Sequence, residues 1–387
     1  MVRLRVRRTK RHDEYRAEWD SVRYNSESFP PESDYPAAMA IYKDLDEALS
    51  LVENLCTTEQ IASLLRNHKG NANIRISAEN KEDLVRRNLR AAVEANALDV
   101  QEIFDLIRSS EENGNQHIFY WRPNNSKMAD TLTLEHVASQ LWGGNWQRTV
   151  SAFPSIRLKP DDYKYSDFRA VSKRKPKDWI LKVYGQKTIV RATGKTKPEA
   201  PGVFWREFVE ESLRIVLAAR WNYPDLLEIR VQRNESRRRI EDWHKQVWSM
   251  LEPAVVRSQF AEWPLKAPMK RIALEGEKHA KTYEFRDAGV VDKGGDVFAS
   301  FQTFSDQGNL FKSQQTLEAI NSFIKAGGAL NGLAVKWLPD PNAEPTEELR
   351  VLLGTKESNE MVVSGRCTAG DLDYVTDQLR RFSKTAS

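Results

Sequence analysis

The sequence predicts an α+β protein: an N-terminal helical domain, then a mixed α/β middle domain, then a smaller C-terminal α+β domain. Three observations carry this. Apolar residues recur at three- and four-residue spacing between residues 37 and 107, the period of helices packed on one side. Beyond residue 116, short β-branched and aromatic runs such as 117–121 (HIFYW) intervene. Strands and helices then alternate irregularly, unlike the repeated unit of a doubly wound sheet. A chain of 387 residues suits two or three domains.

Residues 1–24 read as one or two short strands, because Val2, Leu4 and Val6 alternate with Arg3, Arg5 and Arg7. The Pro-broken stretch 26–36 reads as a linker. Ile41, Leu45, Leu49 and Val52 form the stripe of a first helix. Thr58 suits the N-cap of a second, Ser77 begins a third, and Asp99 caps a fourth that stops at Gly114. A helix over 132–142 closes at Gly143-Gly144.

In the middle domain, 178–191 reads as two strands turning at Tyr184-Gly185-Gln186-Lys187, followed by a long mobile loop over 192–202. Phe204, Phe208, Leu213, Val216 and Leu217 predict a helix over 203–220. A strand over 226–231 and a helix over 237–251 follow, then a Pro-containing connection. The C-terminal part reads as strands at 282–286, 297–304, 333–338, 349–353 and 361–366, with helices at 314–326 and 372–382. The expected segments are 1–36 (strands and linker), 37–125 (helical), 126–252 (basic α+β), 253–281 (linker) and 282–387 (acidic α+β).

Several functional classes find no support. No run reaches the ~20 apolar residues of a membrane span. The basic start lacks the apolar stretch of a secretory signal, so the expected setting is cytoplasmic, or nuclear in a eukaryote. Cys56 and Cys367 are too few for a zinc cluster or a disulfide framework, and no histidine pair has metal-ligand spacing. No cofactor is expected. Thr193-Gly194-Lys195-Thr196 imitates a phosphate-binding loop, but Ile189 stands where its first glycine belongs, and Pro198 and Pro201 break the required helix. Asp225 with Glu228 and Arg230 is a cramped imitation of a metal-nuclease motif.

Charge distribution is more informative. Residues 159–197 hold 12 Lys/Arg against 4 Asp/Glu, and residues 340–377 hold 3 against 9. The candidate nucleic-acid contacts are Lys173, Arg174, Lys175, Lys177, Lys182, Lys187, Arg191, Lys195 and Lys197. Tyr163, Tyr165, Phe168, Trp179 and Tyr184 are interleaved with them and could stack on bases or pack inward. A second cluster, Arg230, Arg233, Arg237 and Arg238, opens a helix whose dipole it opposes, which suggests an anion nearby. The expected function is non-catalytic nucleic-acid binding, DNA first, with a protein partner or self-association through the helical or C-terminal domain. The alternatives are a protein-interaction or sensor component of an antiviral host-defence system, and a degenerate metal-dependent nuclease.

Two resemblances accompany this reading. The helix, turn and Lys81-Glu82 helix within 58–93 resemble the SAP-type DNA module, without its usual glycine before the lysine. The stretch 80–121 (KEDLVRRNLRAAVEA, ALDVQEIFDLI, NGNQHIFYW) resembles the N-terminal helical part of the CENP-N family of inner-kinetochore proteins. The predicted order of strand pair, helix and strand over 179–231 resembles that family's later part. Lys81, Glu82 and Val85 match in residue type, and the match covers about half the chain. The resemblance implies a helical domain followed by an α/β domain, a basic groove for DNA or chromatin, and a C-terminal region that pairs with a protein.

Overall fold

The computed structural model describes residues 2–7, 17–18, 37–68, 70, 74–153, 162–200, 203–233, 237–303, 308–340, 344–354, 357–365 and 367–384. Of 2–7, 17–18, 37–44, 198–200, 203–204, 211, 237–239 and 277 it describes the backbone alone. The expected linker over 26–36 lies outside the described residues.

The chain is mixed α+β and forms two compact units. The first takes residues 1–44, 158–164 and 184–215; the second takes 45–157, 165–183 and 216–387. In the first unit β1 (Val2–Arg7) runs antiparallel to residues 203–208, and β2 (Ala17–Glu18) pairs with β1. Gly185 packs under the Tyr163 ring, where a Cβ would stand 2.4 Å from a ring carbon.

The second unit begins with a helical layer: α1 (Ala37–Leu55, from Leu45 onward), α2 (Thr58–Asn67), α3 (Lys81–Asp83), a π-helical stretch (Leu84–Leu89), α4 (Arg90–Glu94) and α5 (Val100–Asn113). Leu49, Val52, Ile61, Leu65, Val85 and Ile103 belong to its apolar core. Caps fall within a residue or a few of the expected ones. Thr57 rather than Thr58 caps α2 through a reciprocal box with Gln60, Asn80 rather than Ser77 opens α3, and Asp99 caps α5.

Next come β3 (Gln116–Pro123), α6 (Leu134–Trp142), α7 (Trp146–Ser151), β4 (Lys164–Ser172), β5 (Lys175–Ala200), β6 (Val203–Asn222) and β7 (Leu226–Gln232). Then α8 (Arg237–Leu251), β8 (Phe260–Glu262), α9 (Lys266–Glu275), β9 (Tyr283–Val291), β10 (Phe298–Gln302) and α10 (Gln314–Lys325) follow. The chain ends with β11 (Ala329–Trp337), β12 (Leu349–Leu353), β13 (Glu360–Val363) and α11 (Ala369–Ser383).

The sheet of the second unit runs β10-β9-β11-β12-β13-β3-β7-β6, with β8 beside β3. It takes strands from the segments read as helical, central and C-terminal. Strand β3 lies between β13 and β7, each antiparallel to it. Six of its residues are buried, which explains the uninterrupted HIFYW run: a central strand covered on both faces needs no polar alternation. Helices α9, α10 and α11 contribute Ile272, Ile320, Leu372 and Leu379 to the core over β9, β11 and β12.

Three expectations are corrected. Residues 203–220 form strand β6, not a helix. Its apolar residues happen to fall three and four apart, but Phe204, Val209, Ile215 and Val216 are strand formers, and residues 217–222 pair with β7. The hairpin turns at Lys173-Arg174, between β4 and β5, not at residues 184–187. Gly185 lies inside the long strand, and the expected loop is strand as far as Ala200, with residues 201–202 outside the described ones. The order over 179–231 is therefore three strands. The expected linker over 253–281 holds β8 and α9.

The passage from α10 to β11 uses Gly327, at φ +91°, and Gly328. A Cβ on Gly328 would stand 2.6 Å from the Val291 carbonyl oxygen and 2.8 Å from that of Phe323. Backbone cannot step aside as a side chain can. Gly328→Ala is expected to cost about 1–3 kcal/mol in urea unfolding, whereas Gly144→Ala, which meets nothing within 4 Å, changes the midpoint little.

Candidate functional site

The alternation of β7 distributes its side chains to two faces. Leu227, Ile229 and Val231 take one; Glu228, Arg230 and Gln232 take the other, and all six are buried. Arg220 on β6 is paired directly with Glu228 across the ladder. Three charged side chains are thus forced into the interior of the sheet and must be answered there.

The partners come from α5 and from the β4–β5 hairpin. Glu111 and Glu112 occupy the C-terminal turn of α5, where a carboxylate opposes the helix dipole. Lys182, wholly buried, reaches Glu111 at 3.2 Å and Glu112 at 3.6 Å. Arg169 grips both oxygens of Glu112, at 2.8 and 3.2 Å, and also binds Asp167. Arg230 donates to Glu228 at 2.5 and 2.9 Å and to the Glu112 backbone carbonyl at 2.7 Å. That last bond satisfies one of the carbonyls a helix leaves open at its end, and Cys367 Sγ donates to the next, on Asn113, at 2.9 Å. Arg220 stands 2.6 Å from Asp373 without hydrogen-bond alignment. A cavity of about 160 Å³ lies within this network, lined by Asp105, Arg108, Glu112, Arg169, Arg220 and Arg230.

Burial pushes the Glu228 carboxyl up, but Arg230 and Arg220 pull harder and hold it below its ordinary value. Glu112 is likewise raised by burial and brought below its ordinary value by Lys182, Arg169 and Arg108. Asp167 and Asp178 go the other way, because burial outweighs their cations.

Against this geometry the predicted contacts divide. Lys182 and Arg230 are buried and ion-paired, so they are corrected from surface contacts to members of the network. Lys173 and Arg174, at the hairpin tip, and Lys177 are exposed. Lys175 is exposed but paired with Asp373 at 2.9 Å, and Lys177 lies 4.2 Å over the Tyr223 ring. Arg233 is exposed after β7. The side chains of Arg237 and Arg238 lie outside those described. These belong to the second unit.

In the first unit Lys187 is half-buried, and Arg191, Lys195 and Lys197 are exposed along β5. Lys195 stands 3.4 Å from Glu207. Gly194, at φ +81°, interrupts the strand's alternation before Lys195.

Of the interleaved aromatics, three take the inward packing that the sequence left open, and Tyr163 and Tyr165 are half-buried. Phe168, Trp179 and Tyr184 are buried. Trp142 packs edge-on against Phe153, Tyr165 and Phe168, while Trp179 Nε1 donates to the Leu132 carbonyl at 2.9 Å. A ring enclosed in the core presents no face to a base. The nuclease-like acids are also engaged: Asp225 by Arg380 at 2.9 Å and by Arg122 at 3.4 Å, Glu228 by Arg230. Among the described residues no group of three or more His, Cys, Asp or Glu could hold a metal ion, and no helix is long and apolar enough to cross a membrane.

The sequence reading missed the acidic half of the network. The signal was present: Glu111-Glu112 just before the helix-stopping glycine is as unfavourable for a helix dipole as arginines at its start. No family model, curated protein or solved structure matches this chain.

The network yields a prediction with a defined pH window. Glu228→Gln leaves Arg230 buried without its carboxylate and should lower stability at neutral pH by about 3–5 kcal/mol. Because the folded-state value of Glu228 is depressed, its contribution is complete above the ordinary 4.5 and is lost as pH falls through the folded value. Urea unfolding of both proteins should therefore show a gap that is full at neutral pH and closes in acid. A constant gap would contradict the assignment.

Proposed function

We propose that this protein is a non-catalytic nucleic-acid-binding protein that holds the phosphate backbone, DNA before RNA, through the exposed Lys173-Arg174 hairpin. The observation that supports it is the placement of two cations at a two-residue turn, where neither makes an ion pair among the described residues. The carboxylates that engage Arg169, Lys175 and Lys182 do not pair with these two turn residues. Lys177 and Arg233 in the second unit, and Arg191, Lys195 and Lys197 in the first, add exposed positive charge.

With Phe168, Trp179 and Tyr184 buried, the protein recognises charge and backbone spacing rather than bases. Binding is sequence-tolerant and strongly salt-dependent. The resemblance of residues 80–121 to the CENP-N family, without the 179–231 part that rested on a helix where β6 stands, supports the same class of partner, DNA or chromatin, in a nuclear or cytoplasmic setting. The exposed Val297 and Phe298, at the start of the edge strand β10, support a protein contact, or self-association, through the C-terminal segment.

Fluorescence anisotropy with labelled single- and double-stranded DNA and RNA tests this. Binding should weaken linearly in log–log terms with salt, and Lys173→Glu with Arg174→Glu should make that slope shallower by about 2. Absence of binding at low salt, or an unchanged slope in the double variant, overturns the proposal.

A further inference from the structure

The opposite face of the same strands carries a second cavity, of about 170 Å³. Phe119, Trp121 and Ile240 give it apolar walls, and His244 from α8 stacks on Trp121 with ring centres 5.4 Å apart. His244 Nε2 accepts a hydrogen bond from Trp248, and burial pushes the ring down to about 4, so it is neutral at ordinary pH. Four carboxylates line the cavity: Glu241, Glu262 and Glu357 exposed at its rim, Glu360 buried in its wall. Lys245 is the one cation among the lining residues.

Glu360 supplies the independent observation. It is 1% exposed, and the register of β13 on β3 places it opposite Phe119, on the cavity side. Its Oε1 accepts from His117 Nδ1 at 2.6 Å, while Oε2 accepts nothing among the described residues. An enclosed carboxylate oxygen without a donor is costly, and close-packed proteins rarely keep one idle. The Trp121 N–H on the same wall is not aligned to serve it and is itself without an acceptor. Arg257 lies 3.5 Å over the Trp121 ring, so one cation already rests on this indole and a guest meets carboxylates rather than that face.

We infer that this cavity binds an organic cation, an ammonium or guanidinium head group whose N–H donors reach Glu360 and whose alkyl stem lies along Phe119 and Ile240. The rim glutamates draw the cation in and the apolar walls bury its stem. The same rim repels phosphate, so this site is separate from the nucleic-acid surface and does not depend on it.

Calorimetric titration of the full chain with n-butylammonium and methylguanidinium chloride tests the site, with 1-pentanol as the uncharged analogue. Both cations should bind saturably, and the alcohol about tenfold or more weaker. The exposed triple variant Glu241→Gln, Glu262→Gln, Glu357→Gln should still unfold cooperatively and weaken cation binding about tenfold. Glu360→Gln should weaken it further. Equal binding of the alcohol, unchanged affinity in the triple variant, or no saturable heat from either cation overturns the inference. A lysine-containing tripeptide that binds more tightly than n-butylammonium points to a protein side chain as the source; one that binds more weakly points to a free amine.

Discussion

The second unit depends on one arrangement: the C-terminal turn of α5 is held by cations from strands far away in sequence. Glu111 and Glu112 stand where the helix dipole is least hospitable to them, and they are buried as well. Both costs are large in isolation. Lys182, Arg169 and Arg230 offset them together, Arg230 also closing the helix through the Glu112 carbonyl. Such networks are high-stakes, because each member is tolerable only while its partners are in place. Strands β4, β5 and β7 are therefore tied to the helical layer by charge, while apolar burial supplies the bulk of the driving force.

This explains why a local charge count overstated the basic surface. Arg169, Lys175 and Lys182 are answered by carboxylates at positions 112, 167, 373 and 111, only one of which lies in the counted stretch. Sequence-local charge is a poor guide to field once strands pair over long separations. What survives is the turn itself: a two-residue connection between strands cannot bury its side chains, so Lys173 and Arg174 stay outside whatever the hairpin packs on.

Legibility followed the source of each element's stability. Helices α5, α8 and α10 were readable from the spacing of their apolar residues, and strands β3, β7 and β12 from short runs of apolar, β-branched and aromatic residues. Strand β6 was not, since its helical-looking spacing is local while its first residues pair with residues 2–7, about two hundred positions away, and only its last residues pair with the neighbouring β7. The hairpin was displaced for a related reason. Gly185 looks like a turn residue, but the glycine is used for close approach of the Tyr163 ring and not for a reversal. Glu360 could not be singled out at all, because nothing in EMVV says that its neighbour across the ladder is an aromatic strand from residues 116–123.

The two buried polar sites share a single geometric origin. On β3 and its neighbours, odd-numbered His117, Phe119 and Trp121 face one side with Glu360, and even-numbered Ile118 and Tyr120 face the other with Glu228 and Arg230. A slip of one residue in the pairing of β3 would exchange these sets. It would turn Phe119 and Trp121 away from the glutamate-lined cavity to stand beside Glu228 and Arg230, and would part His117 from Glu360. The charges on β7 and β13 thus do for register what apolar patterning cannot, because Phe119 and Trp121 on one face of β3 and Ile118 and Tyr120 on the other would otherwise pair almost equally well either way up. On this argument the ion pairs specify which face of the sheet is which, and the separation of the compensated network from the acidic cavity follows from that choice.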